Sequence, residues 1–324
     1  MVLHLSQRDH NAYFGLDCIE VEKIYALKTE QVARRIGSRL LLGLEPYADR
    51  LGWQTFKDKL LKDGVEKSWL IHAYTSNGRE HAIELLLDRG VNPNAKGVND
   101  ERVLEIAARI GREDIVKLLL RRGADIDGKG IYGETPLVRA INNESETMVQ
   151  LLVDNGADVN IRTFSQNRSP LSLATSKGLV NIVRVLLDEG AKIEDGNQFA
   201  ATPLMTATGI GSLQLVEMLL DHGANVNGHD WTDTTALMWA AERGSEVIAD
   251  LLISRGADAN AVNRVGRTAL MCGIEKDHEG IVMMLLARDP DIDQVDKWGA
   301  TAISLAAKCS NSKISKAIKE VADA

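Results

Sequence analysis

Residues 202–227 read Thr-Pro-Leu-Met-Thr-Ala-Thr-Gly-Ile-Gly-Ser-Leu-Gln-Leu-Val-Glu-Met-Leu-Leu-Asp-His-Gly-Ala-Asn-Val-Asn. The hydroxyl of Thr202 is suited to accept a bond from a free amide of a first helical turn, and Pro203, just inside, has no amide to leave unsatisfied. A short helix is expected to begin there. Gly211, nine residues on, can take the left-handed conformation that ends this helix and turns the chain back. A second, longer helix then runs to Gly223, with apolar residues at helical spacing, as in Ile115, Val116, Leu119 and Leu120 of an earlier copy. An Asn/Asp-rich extended hairpin follows, so the unit is helix, turn, helix, hairpin.

The unit recurs with a period of 33. Leu-rich segments close on Gly90, Gly123, Gly156, Gly190, Gly223 and Gly256, and the one interval of 34 reflects an extra residue in the connection 161–168, where added length is cheapest. Thr135-Pro136-Leu137, Ser169-Pro170-Leu171, Thr235-Ala236-Leu237, Thr268-Ala269-Leu270 and Thr301-Ala302-Ile303 repeat the opening, and Gly78, Gly111, Gly178 and Gly244 repeat the mid-unit turn. These landmarks, with Gly-Ala-Asp-Val-Asn160, resemble the ankyrin-repeat family over about residues 65–324. The resemblance implies an all-α fold, an α-solenoid of about eight units: 65–97, 98–130, 131–163, 164–197, 198–230, 231–263, 264–296 and 297–324. The first two units lack the Thr-Pro opening, reading Trp69-Leu70-Ile71-His72 and Arg102-Val103-Leu104-Glu105, so their inner helices are expected to start differently. The seventh has Asp289-Pro290 where Gly-Ala is expected, and the eighth carries a Lys-rich helix, 313–321, read as a polar C-terminal cap.

Residues 1–64 hold no repeat marker. Amphipathic spacing through Ile19, Ile24, Leu27, Val32 and Ile36, then a helical stretch 53–61, suggests an N-terminal helical cap over the first unit; a small docking module is the other reading. Leu44-Glu45-Pro46-Tyr47 is faintly similar to an F-box junction, but no F-box leader precedes it.

The sequence has 324 residues, 38 Lys+Arg against 46 Asp+Glu, and a net charge of −8, which argues against an extended nucleic-acid surface. With 28 basic against 37 acidic residues beyond position 64, the acidity belongs to the repeats. The longest apolar run, Leu40 to Leu44, falls far short of the roughly 20 residues of a membrane span, and no secretory leader is evident. Three scattered cysteines, Cys18, Cys272 and Cys309, fit a reduced, intracellular protein, cytoplasmic or nuclear.

Catalytic signatures fail on inspection: there is no Gly-x-Ser-x-Gly, His-Glu-x-x-His, Cys-x-x-Cys or P-loop. Gly128-Lys-Gly130-Ile-Tyr-Gly133 satisfies a dinucleotide pattern but follows an outer helix rather than a buried strand, so it reads as a repeat hairpin. Asp289-Pro-Asp291-Ile-Asp293 imitates a calcium loop, yet Gln294 replaces the turn Gly and Ala300 the bidentate Glu. Asn143 and Asn167 open glycosylation patterns that mean little without secretion. No two histidines share metal-ligand spacing on one helix, so neither metal nor cofactor is expected. His72 falls at the family's Thr-Pro-Leu-His position and reads as structural; Met205, Met238 and Met271 continue that register as a packing ladder. Cys272 lacks a histidine in its inner helix to activate it.

Aromatic placement carries the functional signal. Of 14 aromatics, eight lie in residues 1–74 and six beyond: Tyr132, Phe164, Phe199, Trp231, Trp239 and Trp298. None is in an outer helix; five precede an inner helix, in the hairpins, and Trp239 lies within one. The family resemblance implies that hairpins and inner helices form a concave binding face. A row of hairpin aromatics there resembles the anchors that dominate interfaces, with stacking between hairpins as the bland alternative. The same face should carry Arg139, Ile210, Glu242 and Arg243, rimmed by Asp230, Asp233, Arg264 and Arg267.

The expectation is a non-enzymatic scaffold or adaptor that binds a protein partner in this groove. The alternative is a small-molecule site, enzymatic in one version, where Trp239, Arg139, Asp230 and Glu242 line a closed pocket and the carboxylates act as acid or base. A third reading makes residues 1–64 an effector module.

Overall fold

The computed structural model describes residues 67–323, apart from 98, 99, 131, 165 and 166. The helices α1 (Lys67–Ser76), α3 (Val103–Arg109), α5 (Pro136–Asn142), α7 (Pro170–Ser176), α9 (Pro203–Gly209), α11 (Ala236–Arg243), α13 (Ala269–Glu275) and α15 (Ala302–Ala306) form an inner row. Their partners α2 (Glu80–Asp88), α4 (Glu113–Arg121), α6 (Glu146–Asp154), α8 (Val180–Asp188), α10 (Leu213–Asp221), α12 (Glu246–Ser254), α14 (Glu279–Leu286) and α16 (Ser312–Ala322) form an outer one. Each inner helix packs on its own outer helix and on the next inner helix. Helices this short do not persist alone in water, so their stability comes from stacking. The helical cap expected over residues 1–64 lies outside the described residues.

The helix starts follow from the Thr/Ser-Pro-Leu openings. The hydroxyls of Thr135, Ser169, Thr202, Thr235, Thr268 and Thr301 each accept the amide three residues on, as in Met205 N to Thr202 Oγ1 at 3.3 Å. Arg102 stands at the start of α3 and makes no side-chain cap, so the second unit does begin differently. The turns follow from backbone sign: Gly211 and Gly223 have φ of +74° and +87°, while Glu144, Asp277 and Asp289 occupy the same left-handed positions in units that lack the glycine.

The opening Leu residues and the Met ladder form the core. Leu137, Leu171, Leu204, Leu237 and Leu270 are buried, as are Met205, Met238 and Met271. On α4 Ile115, Val116, Leu118 and Leu119 are buried, and Leu120 packs half-buried against the same core, so the expected stripe is present with Leu118 added to it. Helix α16 buries Ile314, Ala317 and Ile318 and exposes Lys313 and Lys316.

The Asp-x-Asn segment after each closing glycine has two mechanical duties. Its first residue caps its own turn, as when Asp158 Oδ1 accepts the Asn160 amide at 2.8 Å. Its second reaches the next unit: Asn94, Asp127, Asn160, Glu194, Asn227 and Asn260 accept the amides of Asp125, Asp158, Lys192, Asn225, Asp258 and Asp291. The result is a continuous ladder of side-chain rungs from unit to unit. Asp291 Oδ1 is spent on the amides of Asp293 and Gln294, a turn rather than a calcium loop.

Candidate functional site

The hairpins line up beside the inner helices and are stitched by single backbone bonds. Phe164 N donates to Tyr132 O at 2.9 Å, Trp231 N to Phe199 O at 3.2 Å, Arg264 N to Thr232 O at 2.9 Å and Lys297 N to Val265 O at 2.9 Å. Tyr132, Phe164, Phe199, Trp231 and Trp298 project from this row, each between 56% and 67% exposed. Phe199 and Trp231 meet edge to face at 6.3 Å, Lys129 lies 4.8 Å from the Phe164 ring, and Arg267 and Lys297 lie 4.9 and 4.4 Å from that of Trp298. Contact between neighbouring hairpins, the bland alternative for these rings, is therefore present, yet more than half of each ring's residue stays in water.

Several of these tips are rigid. Asn197, Asp230, Asn263 and Asp296, again 33 apart, accept the amides of the residues two and four further on. The Phe199 and Trp298 amides are thereby pinned at 2.8 and 2.9 Å. Asp296 is also held by Arg267; burial alone would raise its carboxyl, but the Ala300 and Trp298 amides and Arg267 outweigh it and hold the group below its ordinary range. A tip backbone fixed this way loses little freedom when a partner covers it. The sequence carries this signal as an Asn or Asp recurring every 33 residues, apart from the Thr-Pro and Gly landmarks.

Trp239 is placed differently from the tips. It is half-buried, and its ring lies over Gly209 so closely that a Cβ there would meet Cε3 and Cζ3 at 2.6 Å. Its ring fills the space between α11 and α9. Glu242 and Arg243 are exposed at the end of α11, and among the described residues neither is ion-paired. The rim charges are largely engaged: Asp230 Oδ1 accepts from Thr232 and Thr234, Asp233 pairs with Arg264 at 3.3 Å, and Arg267 pairs with Glu275 at 2.6 Å.

Arg139 does not join Trp239. Its guanidinium is drawn to Glu134 at 2.9 Å, Glu101 at 3.3 Å and Glu105 at 3.9 Å, and Arg109 also approaches Glu101 at 3.6 Å. It ties two hairpins together, while α7 and α9 stand between α5 and α11. A pocket shared by Arg139 and Trp239 is thus not formed. Glu105 is wholly buried, and neither oxygen makes a hydrogen bond of full geometry. Burial pushes its carboxyl up to about 7, against the pull of the Arg102 amide and of Arg139. Cys272 is buried too; desolvation, aided by Glu242, pushes its thiol up to about 12 and leaves it inert as a nucleophile. Among the described residues no three His, Cys, Asp or Glu side chains gather as a metal site, and no helix is long and apolar enough to cross a membrane.

A profile of ankyrin repeats in three copies matches residues 52–130, 104–197, 190–263 and 248–323. The chain belongs to the ankyrin-repeat family. Among solved structures it is similar to the ankyrin-repeat domain of Bcl-3, described as a unique member of the IkappaB protein family, at 25% identity and a TM-score of 0.62. The likeness covers 69% of this chain and 99% of that one. Comparison with curated proteins finds no match. Ankyrin repeats are generally protein–protein interaction modules.

Glu101, Glu105 and Glu134 escaped the sequence reading of this ankyrin array. The available signal was Glu105, a carboxylate in the register that elsewhere holds His72, Met205, Met238 and Met271.

Proposed function

We propose that this ankyrin array is a non-enzymatic scaffold that binds a protein partner along its concave face, with the hairpin aromatics as anchors. One observation carries the reading: large rings stand exposed in a row, and the tips that carry Phe199, Trp231 and Trp298 have backbones pinned by Asn and Asp side chains. Trp239 over Gly209 supplies an apolar floor, and Glu242 and Arg243 a polar edge, the pattern of an apolar centre with a charged rim. The net charge of −8 favours a protein over a nucleic-acid partner. We place the protein inside the cell and read residues 1–64 as a cap on the first unit.

The test is thermal stability of the purified protein against native lysate divided by size into macromolecular and small-molecule pools, since any ligand of the native state raises the melting temperature. The expected result is a shift with the macromolecular pool only, lost in Trp231→Ala and Phe199→Ala while the far-UV spectrum is kept. A shift with the small-molecule pool, or one that survives both substitutions, overturns the groove assignment.

A further inference from the structure

In the first unit His72 reaches across to the next hairpin. Its Nε2 lies 3.1 Å from the carbonyl of Glu101, a contact only an N–H can make, and its ring occupies the space where a side chain on Gly97 would begin. The same Glu101 carbonyl accepts the Gly97 amide at 2.8 Å, so both of its lone pairs are used. One unit on, every partner shifts by 33. Glu105 takes the place of His72, Gly130 that of Gly97 and Glu134 that of Glu101. Gly130 N donates to Glu134 O at 3.0 Å, and the Glu105 carboxyl fills the space against Gly130 as His72 does against Gly97.

A carboxylate cannot donate. Ionised, Glu105 would hold its charge in a site sealed off from water, with neither oxygen in a hydrogen bond of full geometry. Protonated, its O–H can make the bond to the hairpin that His72 makes one unit earlier. We infer that Glu105 is a proton-binding site, held as a neutral acid in the folded array, and that its proton fastens the hairpin 128–134 that carries Tyr132.

The surroundings agree. Arg139 from α5 approaches Glu105 at 3.9 Å, but its closer partners are Glu134 and Glu101, and Arg109 shares Glu101. Arg102 lies at the start of its own helix, and His72 stands in the same register on α1. Their balance leaves Glu105 near 7 rather than in the ordinary glutamate range, with burial the largest cause. This hairpin also has Gly130 where later ones have Asn197, Asp230, Asn263 or Asp296, so it lacks the Asn/Asp pin and depends on Glu105 instead. The sign follows: a carboxyl with a raised folded pKa contributes fully below its unfolded value of about 4.5, and the contribution is lost as pH rises through about 7.

The proton site stands whether or not Tyr132 meets a partner, so its test needs none. The full-length protein and its Glu105→Gln variant, whose amide donates at every pH, are compared by hydrogen exchange of the Tyr132 and Gly133 amides and by infrared difference spectroscopy from pH 5 to 8.5. Taking the variant as the reference at each pH, opening of the hairpin in the wild type is expected to rise about tenfold per pH unit between the ordinary glutamate range and neutrality, then level off. A protonated-carboxyl stretch should fade as pH rises through about 7 in the wild type and be missing from Glu105→Gln. Parallel exchange profiles for the two proteins, or no carboxyl band above pH 5.5 that depends on Glu105, overturns the inference. Should Glu105→Gln fold poorly, Glu105→His supplies the same comparison with the donor used at position 72.

Discussion

The rung at Asp127 is the one most open to improvement. Asn94, Asn160 and Asn227 each accept an amide from the next unit, and each also donates Nδ2 to a closing carbonyl, of Gly123, Gly190 and Gly256, at 3.1, 3.3 and 3.1 Å. Asp127 accepts the Asp158 amide at 3.0 Å but has no hydrogen to offer the corresponding carbonyl of Gly156. Burial raises its carboxyl above the ordinary range, and Asp158 and Asp125 add to the rise against the bond from the Asp158 amide. Asp127→Asn should therefore gain one neutral hydrogen bond, about 1 kcal/mol, and relieve a crowded negative charge near the surface, about 0.5 kcal/mol more. The melting temperature should rise by about 3 °C. Urea unfolding should shift its midpoint without changing its slope. Because the wild-type carboxyl takes up a proton in acid, the gain should shrink as pH falls through the raised Asp127 value. An unchanged or lower midpoint, or a gain undiminished in acid, would refute the rung as the source.

Two further substitutions probe packing and reactivity. Gly209→Ala sets helix propensity, which favours Ala by about 1 kcal/mol, against a Cβ that would meet the Trp239 ring; overpacking of about 1–3 kcal/mol should win, and a rise in melting temperature would show that the ring gives way. With its thiol pushed up to about 12, Cys272 should hold roughly a thousandfold less thiolate at pH 8 than an ordinary cysteine. Peptide mapping after brief native alkylation should find Cys272 unmodified, and label there without unfolding would show that α13 is not packed as described.

The architecture was legible because each landmark answers a local demand of the backbone. Thr202 caps because a first turn has free amides, and Gly223 closes because the turn after α10 needs positive φ. The Met ladder was legible from period alone. The exposed tip aromatics could be listed from sequence, but not their pinning, since Asn197 and Asp296 look like ordinary loop residues until their amide partners are seen. Less legible still was the fate of Arg139. Its register puts it on the same expected face as Trp239, whereas its partners Glu101, Glu105 and Glu134 come from two hairpins and a neighbouring helix, and which charges meet is decided by side-chain direction across units. Trp239 settles over Gly209 for a related reason: a gap on one helix is filled from the next, and neither residue advertises the other.

The ladder of Asn, Asp and Glu rungs joins each unit to its neighbours alone, so the array behaves as springs in series. Tension applied at the two ends passes through every rung in turn, and the softest joint sets the length at which the stack begins to part. The joint between units four and five differs in build from the others, since Lys192 interrupts the Asp-x-Asn pattern and the rung to Asn225 is carried by the longer side chain of Glu194. A partner seated across units four to six would bridge it as a splint does.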